Sequence, residues 1–230
     1  MNKVLLLCLF CVVPGTAIFA QENIPAPIPA FTKGARILFQ GDSITDGNRG
    51  RSADPNHILG HGYVFLIAAR HGFAFPEQQL DFINRGVSGN TVLDLEKRWK
   101  ADVLDLKPDL LSVMIGVNDQ SKNVPLETYE EVYDRLLTSA KNENPALKIV
   151  LCAPFVKPST SVEGIQKRQQ IVARLAQKHG AALVEFQPAF DSASRRAAPD
   201  YWVWDRVHPT YRGHQLLAEE WERVVRAFWK

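Results

Sequence analysis

The stretch Ile37-Leu38-Phe39-Gln40-Gly41-Asp42-Ser43-Ile44-Thr45-Asp46-Gly47 decides how the rest of the chain is read. An apolar run of strand length at 37–39 ends in a polar turn. Gly41, two residues before Ser43, allows a tight strand-to-helix reversal that exposes the hydroxyl and points local N–H groups at one place. Taken alone, Gly-Asp-Ser fits a plain turn with a helix-capping serine equally well. The surrounding pattern adds weight. Further apolar runs lie at 81–84, 110–115, 149–153 and 182–186. Helical spacing fills the intervals between them. Val92, Leu95, Trp99, Val103 and Leu106 share one face, behind a capping-box start at Thr91 and Asp94. A second stripe begins at Pro125 and carries Leu126, Tyr129, Val132, Tyr133, Leu136 and Leu137. A third holds Ile171, Val172, Leu175 and Ala176 and stops at Gly180; the last holds Leu217, Trp221, Val224 and Phe228. Strands alternating with helices imply right-handed βαβ units and a parallel sheet covered on both faces. In such an α/β fold, chemistry gathers in the loops beyond the carboxyl ends of the strands.

Those loops carry complementary parts. After the second run comes Asn84-Arg85-Gly86-Val87-Ser88-Gly89-Asn90-Thr91, where a glycine can bring its N–H close to a substrate. After the third comes Gly116-Val117-Asn118-Asp119, with a side-chain donor of the kind an oxyanion site requires. Near the C-terminus lies Trp204-Asp205-Arg206-Val207-His208-Pro209. A carboxylate three residues from an imidazole can hold the tautomer that accepts a serine proton and stabilise the imidazolium. Each loop alone has an ordinary structural explanation; together they describe a serine hydrolase.

The set resembles the GDSL/SGNH hydrolases, named for a serine, a glycine, an asparagine and a histidine in separate blocks that occur here in order. Ile44 stands where the first block's name has leucine, which leaves the chemistry untouched. The resemblance covers residues 35–230 and implies a flavodoxin-like three-layer α/β/α sandwich with a central, mostly five-stranded parallel sheet. It implies Ser43 as nucleophile, His208 as general base and then acid, and Asp205 as the group that orients the imidazole. The N–H groups of Ser43 and Gly89 and the side chain of Asn118 would form the oxyanion hole. Three stretches are similar to the acetylxylan esterase branch: Leu59-Gly60-His61-Gly62-Tyr63-Val64, the block from Gly86 to Leu95, and Trp204 to Pro209. That similarity implies removal of O-acetyl groups from xylan, xylo-oligosaccharide or a related glycan. Tyr63, Trp202 and Trp204 are then the expected substrate contacts, since aromatic faces stack on sugar rings. The alternatives are a lysophospholipase or acyl thioesterase of the same family and, in another class, a catalytically silent carbohydrate-binding protein.

Bulk properties narrow the context. The 230 residues carry a formal charge of +2 with charges interspersed, which gives no footprint for nucleic acid. Self-association is left open. Lys3 followed by an apolar run at 4–13 reads as a secretory signal ending near Ala17 or Ala20, too short to span a bilayer. The expected location is therefore secreted or periplasmic, without stable membrane insertion. Residues 21–34 read as a stiff proline-rich leader outside the core. Of three cysteines, Cys8 and Cys11 leave with the signal, so Cys152 remains as a buried strand residue. His57 and His61 lack a third ligand, and no phosphate loop or dinucleotide fingerprint occurs; neither metal nor cofactor is expected.

Overall fold

Five parallel strands form one sheet in the order β2-β1-β3-β4-β5. They are β1 (Arg36–Gly41), β2 (Asp81–Asn84), β3 (Leu110–Met114), β4 (Lys148–Ala153) and β5 (Ala182–Glu185). The computed structural model describes residues 26–230; the signal segment and the first residues of the leader lie outside them. All five expected strands are present, and Phe186 opens a helix instead of closing β5. The helices are α1 (Ser43–Asp46), α2 (Tyr63–Ala74), α3 (Val92–Trp99), α4 (Val117–Ser121), α5 (Leu126–Glu143), α6 (Glu163–His179), α7 (Phe186–Ala193), α8 (Pro199–Trp202) and α9 (Tyr211–Phe228).

Strand alternation divides the core in two. Ile37 and Phe39 face the side covered by α2, α7 and α9, whereas Leu38 faces α3, α5 and α6. Both faces are apolar, as a doubly covered parallel sheet requires. The stripe from Val92 onward does not stay α-helical to Leu106. It passes at Lys100–Leu104 into a π-helical turn, braced by an ion pair between Arg98 and Asp102. Between the layers, the Trp221 indole N–H donates to the Ser112 hydroxyl at 3.0 Å, and that hydroxyl lies 3.7 Å from Cys152 Sγ. Cys152 is fully buried, and burial pushes its thiol up to about 12, so it is inert as a nucleophile.

The leader corrects its sequence reading. Ile28, Ala30 and Phe31 are buried in the core, so the segment 28–31 belongs to the domain. The Phe31 ring meets His71 edge-on at 5.1 Å and Phe82 at 5.8 Å, and lies tilted against Trp221. The segment turns at Pro29 and Ala30, where the Phe31 N–H donates to the Ile28 carbonyl at 2.8 Å, and this turn places its few apolar side chains over the face lined by α2 and α9.

Helix α2 is joined to α9 through its first turn. The Tyr63 N–H, which no intrahelical carbonyl can take, donates to His214 Nδ1 at 3.2 Å. Burial, with the nearby charges of His61 and His208, pushes the His214 imidazole down to about 4. A protonated ring would lose this acceptor and face the positive end of a helix.

Two expectations follow. Phe31→Ala costs about 3–5 kcal/mol in chemical denaturation, the usual price of a buried phenyl ring; a loss under about 0.5 kcal/mol would return the segment to the role of a loose leader. For His214, the unfolded chain takes up the proton below about pH 6.5 and the folded chain only near 4. Its contribution to stability is therefore complete above 6.5 and is lost as the pH falls toward 4. The advantage of wild type over His214→Gln shrinks by on the order of 3 kcal/mol across that window in urea titrations. A difference that stays flat from pH 7 to 4 would remove His214 from this role.

Candidate active site

The sheet brings the polar loops to one edge, and the first is built around Gly41. A Cβ at Gly41 would run into the Met114 carbonyl and the Thr45 hydroxyl, so the reversal out of β1 admits only glycine. Asp42 caps α1 by accepting the Ile44 N–H at 3.1 Å, and Ser43 opens the helix. Ser43 Oγ lies 2.8 Å from His208 Nε2. His208 Nδ1 lies 2.7 Å from Asp205 Oδ2, and the other oxygen of Asp205 accepts the N–H groups of Val207 and His208 at 2.8 Å each. Burial acts to raise the Asp205 carboxyl, but those two N–H groups and the imidazole outweigh it and hold it below the usual carboxylate range. With Asp205 ionised, Nδ1 carries the imidazole proton and Nε2 faces the serine as an acceptor. The loop is closed at its base by the antiparallel bridge of Val203 to Pro209 and by the Trp204 N–H on the His208 carbonyl at 3.1 Å.

The second and third loops meet beside the first. Gly89 has φ +81°, the left-handed region that glycine occupies without strain. Lys122 Nζ donates to the Gly89 carbonyl at 2.7 Å, and the Asn118 amide donates to the Asn90 carbonyl at 3.0 Å. The N–H groups of Ser43 and Gly89 have no acceptor among the described residues. All three sequence blocks thus share one sheet edge.

A supporting set escapes sequence reading. Asn84, the last residue of β2, donates to the carbonyls of Thr45, Asp46 and Leu59 and accepts the Gly86 N–H. Asp46 accepts the N–H and hydroxyl of Ser88 at 3.0 Å each and pairs with Arg51 at 2.8 Å. Burial acts to raise its carboxyl, but Arg51 and Ser88 outweigh it and keep it below the usual range. Arg98 holds the Asn90 side chain at 2.8 Å and the carbonyls of Arg85 and Gly41. Only Asn84 leaves a trace in the sequence, as a polar residue at a strand end. Beneath the loops, burial pushes the Asp42 carboxyl up to about 7 and Asp119 to about 6, against the N–H groups of Ile44 and Val92 that favour their charged forms.

The three aromatics proposed as substrate contacts fare differently. Trp204 is two-thirds exposed, with its ring 6.4 Å from that of His208 and 29° from parallel. Trp202 is half-buried against the core and lines a cavity together with Tyr201 and Tyr211. Tyr63 is corrected: it is completely buried, its hydroxyl hydrogen-bonds with Thr45 at 3.1 Å, and its ring meets Phe39 edge-on. As the first residue of α2 it turns inward to cover β1, so it braces the nucleophile turn and does not face solvent.

A parallel α/β sandwich with a serine, an imidazole and a carboxylate in hydrogen-bonded sequence at its strand ends is the architecture of a serine hydrolase. Residues 39–216 match the GDSL-like lipase/acylhydrolase family. The chain belongs to that family and is a carboxylic ester hydrolase. It is 34% identical over 213 residues to an acetylxylan esterase of Geobacillus stearothermophilus, covering 85% of this chain and 96% of that one. The crystal structure of an acetylxylan esterase from the same organism superimposes with a TM-score of 0.78 at 32% identity, over 85% of this chain and 96% of that one. A Parabacteroides merdae protein named as a GDSL-like lipase gives a TM-score of 0.81 at 34% identity, over 88% of this chain and all of its own.

Asn118→Ala tests the third loop: ester turnover falls by about a hundred- to a thousand-fold, the usual effect of removing one oxyanion donor. A loss under about threefold in kcat would take Asn118 out of the site.

Proposed function

We propose that the protein is a secreted serine esterase that removes O-acetyl groups from carbohydrate such as acetylated xylan or xylo-oligosaccharide. The observation that carries the mechanism is the continuous relay of Ser43 Oγ, His208 and Asp205, with separations of 2.8 and 2.7 Å. His208 Nε2 takes the hydroxyl proton as Ser43 Oγ attacks the acetyl carbonyl carbon. The imidazolium is held by the ionised Asp205. The N–H groups of Ser43 and Gly89 and the amide of Asn118 receive the developing oxyanion. The imidazolium then protonates the departing sugar oxygen, leaving acetyl on Ser43. Water attacks that ester with His208 again as base, and acetate leaves as Ser43 recovers its proton.

Two points support acetylated sugar as substrate. The full-length relative quoted above is named an acetylxylan esterase, and alanine replacements of a serine, an aspartate and a histidine in such an enzyme are described as catalytic mutants. The exposed Trp204 beside His208 offers an aromatic face to a sugar ring. Export rests on the apolar run at 4–13 and the small residues that follow it. Among the described residues, no helix is long and apolar enough to cross a membrane.

The test is hydrolysis of p-nitrophenyl esters of two to twelve carbons and of acetylated xylo-oligosaccharide by wild type and Ser43→Ala. Acetate release from the sugar, collapse of activity beyond short acyl chains and an inert variant are expected. A preference for long chains would move the reading to a lysophospholipase or thioesterase. Equal rates for wild type and variant would overturn Ser43 as nucleophile.

A further inference from the structure

A second feature is built from the residues that flank the loop of Asp205 and His208 in sequence. Tyr201 and Trp202 are zipped to Thr210, whose N–H donates to the Trp202 carbonyl and whose hydroxyl donates to the Tyr201 carbonyl, both at 2.8 Å. They stand just outside the bridge that holds Asp205 and His208, and with the start of α9 they line a cavity of about 520 Å³. That volume lies in the range of small-molecule sites, roughly 300–1,000 Å³. His61 also lines the cavity, and its N–H donates to the Gly47 carbonyl at the end of α1, which ties this wall to the nucleophile turn.

The lining is aromatic and cationic. The Arg212 guanidinium sits between the rings of Tyr201 and Tyr211, 4.1 and 4.3 Å from their centroids. Aromatic rings therefore flank the guanidinium, while its N–H groups have no acceptor among the described residues. Arg196 is likewise without a carboxylate partner among them. Elsewhere on the surface Arg135, Arg174 and Arg223 each pair with a glutamate. The one carboxylate in the lining, Glu219, accepts the Gln215 amide at 2.9 Å. A fixed planar fork with free donors fits a carboxylate, which it can bind through two parallel hydrogen bonds. The exposed Tyr201 and Tyr211 rings suit the C–H face of a sugar.

We infer that this cavity binds a carboxylate-bearing sugar, so that the preferred substrate is an acetylated oligosaccharide carrying a uronate unit near the scissile ester. The inference rests on the carbohydrate reading of the same active site and narrows its substrate class. Arg212 and Arg196 hold the uronate carboxylate, and the sugar ring lies against the tyrosines while a neighbouring residue of the glycan presents its acetyl group to Ser43.

The experiment compares acetate release from acetylated xylo-oligosaccharides with and without a single glucuronate branch, using wild type, Arg212→Gln and Arg196→Gln. Hydrolysis of p-nitrophenyl acetate and calorimetric binding of the deacetylated glucuronate-bearing oligosaccharide run alongside. Wild type favours the acidic substrate by about tenfold in kcat/KM, the preference weakens with salt, and Arg212→Gln abolishes it with p-nitrophenyl acetate turnover unchanged. Equal kcat/KM for the two sugars, or an acidic preference that survives both substitutions, overturns the inference. Should p-nitrophenyl acetate be cleaved but neither sugar, the carbohydrate reading falls by itself and calorimetry decides the cavity. Binding of the acidic oligosaccharide that Arg212→Gln removes would then uphold the uronate site, and no binding would overturn it.

Discussion

Hydrogen bonding of β1 to β2 on one side and to β3 on the other is the constraint on which the site depends. The chain leaves β1, crosses to one flank for β2, and returns to the opposite flank for β3. The loops after these three strands therefore emerge together at the carboxyl edge, with Ser43, Gly89 and Asn118 on them. The fourth component comes from the far end of the sequence and reaches the same edge because α9, packed by Trp221 against the β1–β3 face, begins there. Slippage of β1 by one residue would exchange Leu38 with Ile37 and Phe39 between the two cores and move the nucleophile turn with it.

Around that edge, environment divides the carboxylates into two kinds. Asp205 is partly buried and Asp46 buried, yet donors outweigh the cost: two backbone N–H groups and an imidazole for one, Arg51 and Ser88 for the other. Asp42 and Asp119 are buried with fewer donors, and burial prevails. The charge that the imidazole relies on is thus maintained at the loop, and the interior below it carries carboxyls that resist ionisation. A carboxyl that resists ionisation near the site carries less repulsion toward a developing negative charge than a fully ionised one would.

The layer architecture and the residues of the candidate site are legible in the sequence for one reason. Each of Ser43, Gly89 and Asn118 follows an apolar run closely, and Asp205 and His208 are close enough in sequence to be read as a pair. The supporting residues are not legible, because their partners are backbone atoms far along the chain: Arg98 reaches the carbonyl of Gly41, and Asn84 that of Thr45. Tyr63 misleads because an aromatic residue beside polar loops can face either way, and only packing against Phe39 and Thr45 decides it. The leader misleads because proline content signals stiffness but says nothing of what Ile28 and Phe31 cover. Helix α2 hides its stripe because His71, on its buried face, breaks the apolar period of Val64, Ile67 and Ala68.

The loop between Val203 and Pro209 contains both the acid and the base of the relay, and it braces itself through Asp205 on its own backbone N–H groups. It is also pinned from outside, by the Lys157 N–H on the Arg206 carbonyl and by the Thr210 N–H on the Trp202 carbonyl, at 2.8 Å each. The two partners proposed for Ser43 therefore keep their mutual geometry as one unit. The exposed aromatic side chains on its flanks, Tyr201 and Tyr211, make no contact with the Asp205–His208 hydrogen bond itself. What the surface meets and how Asp205 holds His208 are thus set by different side chains.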